Sequence, residues 1–113
     1  GSDNMLELKI DQDTLLVSVQ GDLDMVVAKS FKETVDDYLL SRDWIQHLLV
    51  DLSDVGFIDS SGLGVLIGRY KVMKSRHGQM AICGVNSNVY RILEISGLKK
   101  LMPVLKITEP AAQ

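Results

Sequence analysis

A single cysteine, Cys83, has no intramolecular disulfide partner, and its place in the apolar run Met80-Ala81-Ile82-Cys83 predicts a buried, inert thiol suited to a reducing cytoplasm. With only two histidines beside it, the chain offers no metal-ligand cluster, and no metal or cofactor is expected. A basic excess is missing as well. Twelve Lys and Arg against fifteen Asp and Glu give a net charge of -3, which argues against direct nucleic-acid binding as the main role. No apolar run is long enough to span a membrane, and the amino terminus lacks a basic-then-apolar signal pattern. No membrane partner and a cytoplasmic location are therefore expected. There is no internal repeat, low-complexity tract or linker.

What is present suits one compact domain. The 113 residues are 46% hydrophobic and 24% charged, enough for one core and too few for two. Gly1-Ser2 reads as a cloning remnant, so residues 1–4 are set aside; residues 5–108 form the expected domain and 109–113 a flexible tail.

Leu6, Leu8 and Ile10, then Leu15, Val17 and Val19, alternate with polar neighbours at the period of a half-buried strand, with Asp11-Gln12-Asp13 as the turn of a hairpin. After Gly21-Asp22-Leu23-Asp24, the residues Val27, Phe31, Val35 and Leu39 recur at helical spacing, and Asp24 is placed to cap that helix. His47 to Leu52 reads as a central strand buried on both faces. A second helix runs from Gly62 to about Arg76, ended by Gly78 in a left-handed conformation. Met80 to Val85 is the next strand; Ser87 or Asn88 caps a third helix ending near Gly97; Val104 to Ile107 is an edge strand after Pro103. The fold class is thus α/β, a mixed sheet of about five strands with three or more helices mainly on one face. Met25 and Met73 read as core filler, and Arg69, Lys71, Lys74, Arg76 and His77 as a solvated helix face without a ligand.

The segment Phe57-Ile58-Asp59-Ser60-Ser61-Gly62-Leu63-Gly64-Val65-Leu66-Ile67-Gly68-Arg69-Tyr70-Lys71 joins a strand to a helix, where unpaired amides and the helix dipole favour an anion. Asp59 or Ser60 can serve simply as an N-cap and Gly62 as relief from crowding. Gly62, Gly64 and Gly68 suggest a dinucleotide site, but three residues separate the last two and Cys83-Gly84-Val85 offers no carboxylate for a ribose. Close packing against a neighbouring element is the other reading of Gly64 and Gly68. The serines do not lie in Gly-x-Ser-x-Gly, so a serine hydrolase is weaker still.

Taken whole, that run resembles the phosphorylation segment of STAS-domain anti-sigma-factor antagonists, most closely the stage II sporulation type. Gly21-Asp22-Leu23-Asp24 is similar to that family's acidic loop, and Ser96-Gly97-Leu98 to its turn after the third helix. The resemblance implies the same fold class and a regulatory protein, not an enzyme. It makes Ser60 the phosphate acceptor, with Asp24, Asp59, Ser61, Gly62 and Leu63 as candidate partner-binding residues. Asp24 and Asp59 remain equally readable as caps, and Leu63 as core. The implied partners are an anti-sigma serine kinase with its ATP, held off its sigma factor by the unphosphorylated chain, and a serine phosphatase that resets the switch. A STAS scaffold module in a general-stress or other regulatory kinase pathway is the alternative. Phosphate at a helix start should alter the partner interface and leave the fold intact.

Overall fold

The computed structural model describes residues 5–106, so the expectations for residues 1–4, Ile107 and the tail lie outside it. Strands β1 (Leu6–Asp11) and β2 (Thr14–Gln20) form the expected antiparallel hairpin, with Gln12 in the turn at φ 57. Leu6, Leu8 and Ile10 stand opposite Val19, Val17 and Leu15, so each strand turns one apolar row to the same face.

Helix α1 (Met25–Leu40) leads to β3 (His47–Asp54), α2 (Ser60–Ser75) to β4 (Gln79–Val85), and α3 (Ser87–Ile95) through a 3-10 turn (Leu98–Lys100) to β5 (Val104–Lys106). The sheet order is β1-β2-β3-β4-β5, parallel from β2 onward. Each crossover advances one place in the same direction, and right-handed crossovers of that kind put all three helices on one face. The core lies between helices and sheet. Phe31, Val35 and Leu39 of α1, Leu66 and Met73 of α2, and Leu93 of α3 close over Leu15, Val17, Leu48, Val50, Leu52 and Ile82.

Coverage of one face only corrects the expectation for the central strand. In β3, Leu48, Val50 and Leu52 are buried, while His47, Leu49 and Asp51 are half-buried, because no crossover returns along the opposite face.

Other local expectations also change. The cap of α3 is Asn86, not Ser87 or Asn88: its Oδ1 accepts from Val89 N at 2.8 Å while its Nδ2 donates to Val55 O at 3.2 Å. Past α2 the left-handed residue is His77, at φ 59, not Gly78. Gly78 is needed for close approach instead, since a Cβ there would lie 2.6 Å from Gln46 O. The basic run on α2 is not uniformly solvated. Arg69 is buried, its Nε 2.9 Å from Asp36 Oδ1 of α1 without hydrogen-bond alignment, so that attraction is between charges. Arg76 donates to the carbonyls of Leu39, Arg42 and Ile45, satisfying the carboxyl end of α1 and the turn after it.

Candidate functional site

At the carboxyl ends of the parallel strands, two loops run side by side. Gly21, at φ +83, lets the chain leave β2, and its amide donates to Asp54 O at 3.2 Å. Leu23 N then donates to Phe57 O at 2.9 Å and Asp59 N to Leu23 O at 3.3 Å, making one rung of parallel pairing between Leu23 and Ile58. Both residues are buried, so the rung is fixed in the core.

The next residue on each side is an aspartate, and each begins a helix. Asp24 Oδ1 accepts from Val27 N at 3.0 Å, and Asp59 Oδ1 accepts from Gly62 N at 2.9 Å. Two capped helix starts therefore sit next to each other, with their positive dipole ends on the same side of the molecule. Ser60 is the first residue of α2 and is exposed; Ser61 beside it is half-buried. The amides of the first turn have no carbonyl one turn back, and Asp59 occupies only that of Gly62. A group on Ser60 Oγ would stand at the positive end of α2, next in sequence to Asp59 and at the helix start adjoining that of Asp24.

Gly62 is buried, beneath the serines and not at the surface. A Cβ on it would lie 2.5 Å from Leu23 O and 2.8 Å from Ile58 Cγ2, so only glycine lets the first turn rest on the Leu23–Ile58 rung. Leu63 is half-buried and packs against the core, which leaves part of its side chain to the surface. Gly64 and Gly68 behave differently. A Cβ at either position meets nothing within 4 Å, so no packing inside the chain accounts for them, contrary to expectation.

Three residues at this end escaped the sequence reading. Met25, Val26 and Phe57 are 67, 66 and 50% exposed, an apolar rim around the two helix starts. Met25 is thus surface and not core filler, whereas Met73 is fully buried. The signal was available: with Asp24 as cap, Met25 and Val26 fall in the first turn and off the stripe of Val27, Phe31 and Val35. Among the described residues no group of three His, Cys, Asp or Glu side chains could hold a metal, and no helix is long and apolar enough to cross a membrane.

Comparison with known proteins places this geometry. The STAS domain profile matches residues 5–111. An anti-sigma F factor antagonist from Paenibacillus polymyxa is 37% identical over 99 residues, covering 88% of this chain and 84% of the relative. An anti-sigma-B factor antagonist from Listeria monocytogenes is 29% identical over 97 residues, covering 86% and 83%. Among solved structures, a putative anti-sigma factor antagonist from Thermotoga maritima superposes with a TM-score of 0.82 at 30% identity, over 89% of this chain and 86% of that one. Unphosphorylated SpoIIAA shares the fold with a TM-score of 0.70 at 14% identity over 94% and 89% of the chains. The phosphorylated form of Bacillus SpoIIAA gives 0.71 at 18% over 92% of each.

Proposed function

Because the chain belongs to the STAS-domain family, we propose that it is an anti-sigma-factor antagonist switched off by phosphorylation of Ser60. The observation that carries this reading is the exposed Ser60 at the first position of α2, directly after its cap Asp59 and beside the helix start capped by Asp24. The unphosphorylated chain docks on an anti-sigma serine kinase in the cytoplasm and so frees a sigma factor for transcription. Met25, Val26 and Phe57, with the outer part of Leu63, supply apolar contact; Asp24, Asp59 and Ser61 supply polar contact around the acceptor.

The kinase brings ATP. Ser60 Oγ attacks the γ-phosphorus, the bond to the ADP oxygen breaks, and the hydroxyl proton passes to a base on the kinase. The product carries about 1.5 to 2 negative charges beside two aspartates, on a surface that must shed water to stay docked. A penalty of about 3 kcal/mol would weaken docking more than a hundredfold. The same phosphate at a helix start stabilises α2 by roughly 0.3 to 1 kcal/mol, so release occurs without refolding. In support, SpoIIAA has a similar likeness to this chain in its unphosphorylated and phosphorylated forms. A serine phosphatase then hydrolyses the ester and returns the hydroxyl.

The pathway is the finer question. The Paenibacillus relative favours a sporulation sigma factor, and the Listeria relative supports a general-stress reading. Incubation with an anti-sigma F kinase and with an anti-sigma-B kinase, each with ATP, followed by intact mass and site mapping, tests both. One added phosphate on Ser60, absent in Ser60→Ala, is expected with one of the two. Phosphate only at another residue, or none with either kinase, would overturn the assignment of Ser60.

A further inference from the structure

The two edges of the sheet are built differently. β5 is three residues long, follows Pro103 and pairs with β4 through a register shift, all of which blunt an edge against further strands. β1 is six residues long, contains neither Pro nor Gly, and pairs with β2 residue by residue along its whole length. It carries Leu6, Leu8 and Ile10, and Ile10 is 39% exposed. Such an edge is open to another strand.

The ladder fixes which groups β1 offers. Gln20 N donates to Met5 O at 2.8 Å, so the odd-numbered residues of β1 exchange hydrogen bonds with β2, and the N–H and C=O groups of Leu6, Leu8 and Ile10 point outward. Glu7 and Lys9 stand on the sheet face without helices, where their neighbours on β2 are Ser18 and Leu16, neither of which carries a charge.

An antiparallel copy of β1 answers these groups when the two-fold axis passes through Leu8. Leu8 then exchanges both backbone bonds with its own equivalent, Leu6 exchanges them with Ile10 of the second copy, and Glu7 stands opposite its Lys9 at two symmetric places. An axis at Lys9 sets Lys9 against Lys9 and Glu7 against Asp11, and one at Glu7 sets Glu7 against itself; like charges directly opposite destabilise a strand pair. An axis at Ile10 also matches charges, Lys9 with Asp11, but overlaps only half of the strand. We propose that this edge is the docking surface for a second copy of the chain, paired antiparallel through β1 about Leu8. The two sheets become one, with the helices of both copies on the same face and the two Ser60 ends pointing in opposite directions. Both Ser60 ends stay free, and the proposal does not rest on the assignment of that residue.

Sedimentation equilibrium of the full chain at low salt, from about 1 μM to about 1 mM, tests it. The mass should rise from 12.5 kDa toward twice that value. Glu7→Lys and Lys9→Glu each set like charges opposite at both symmetric places and should weaken association by at least about tenfold. The double variant Glu7→Lys/Lys9→Glu restores the match and should associate as wild type does, and so should an equimolar mixture of the two single variants. Both positions are exposed, so the thermal midpoint of the dilute chain should stay in place. Amide exchange at Leu6, Leu8 and Ile10 should slow as the chain is concentrated. A chain that remains monomeric over this range, single reversals that leave association unchanged, or a double variant no better than the single ones would overturn the proposal.

Discussion

Asp24 and Asp59 begin neighbouring helices directly after Leu23 and Ile58, the two residues of a single parallel rung, and Asp59 immediately precedes Ser60. Each carboxylate has two separable properties. As an acceptor it caps a helix, and as an anion it would oppose a phosphate placed on Ser60 under the proposed function. Capping needs only the oxygen, whereas the proposed switch would use the charge.

Asparagine separates the two, since it caps about as well as aspartate while carrying no charge. Asp24→Asn and Asp59→Asn should each leave the urea midpoint nearly unchanged, and Asp24→Ala and Asp59→Ala should each cost about 1 kcal/mol. In the double Asn variant, phosphorylation of Ser60 should weaken kinase docking by a smaller factor than in wild type, measured by calorimetry on both forms. An unchanged factor would show that the phosphate acts through its own desolvation, with no contribution from the aspartates.

The glycines of α2 should separate in the same way. Gly62→Ala drives a methyl into Leu23 O and should cost about 1 to 3 kcal/mol, by analogy with overpacking elsewhere. Gly64→Ala and Gly68→Ala place a methyl in open space and should each stabilise the chain by up to about 1 kcal/mol through helix propensity. Chemical denaturation of the three variants checks this. If Gly64→Ala stabilises the free chain yet weakens kinase docking, the partner backbone approaches α2 at that point.

Much of this arrangement could be read from local pattern. The alternation in β1 and β2 placed their apolar rows, and Asp24 before the Val27–Phe31–Val35 stripe placed the start of α1. What could not be read depends on groups distant in the chain. Arg69 looks like any surface base until Asp36 of α1 is set against it. Asn86, Ser87 and Asn88 are all fair caps by residue type, and the choice falls to Asn86 because Val89, three residues on, must be buried. Only the Leu23–Ile58 rung brings Asp24 to Asp59. The left-handed residue after α2 is His77, and Gly78 is reserved for the close approach of Gln46 from before β3, which no local pattern announces.

The Asp36–Arg69 pair predicts an asymmetry. Arg69 is 5% exposed, and Asp36 also has Lys32 Nζ at 3.4 Å. Arg69→Met removes the buried charge, leaves Asp36 with Lys32, and should change stability by no more than about 1 kcal/mol. Asp36→Ala leaves a buried guanidinium unpaired and should cost about 2 to 3 kcal/mol, somewhat less than for a fully enclosed pair because Asp36 is partly solvated. Denaturation of both variants and of the double variant measures the coupling. A loss for Arg69→Met as large as that for Asp36→Ala would mean that the ion pair itself contributes net stability.

Cys83 faces Asp51 across the β3–β4 pairing on the uncovered side of the sheet. Partial burial first, and the nearby Asp51 carboxylate second, raise its thiol pKa above the ordinary 9.0. The folded chain therefore holds the proton to higher pH than the unfolded chain does. Where the two differ, the unfolded state binds fewer protons, so this contribution to stability is fully present below the ordinary thiol range and is lost as pH rises through it. Alkylation by iodoacetamide at pH 8 should accordingly be slower in the native chain than in urea. Asp51→Asn should speed the native reaction only in part, because desolvation is the larger cause and remains. Comparing pH–rate profiles of the two proteins separates these causes. A shift of the native profile fully to the unfolded one on losing Asp51 would assign the whole effect to the carboxylate.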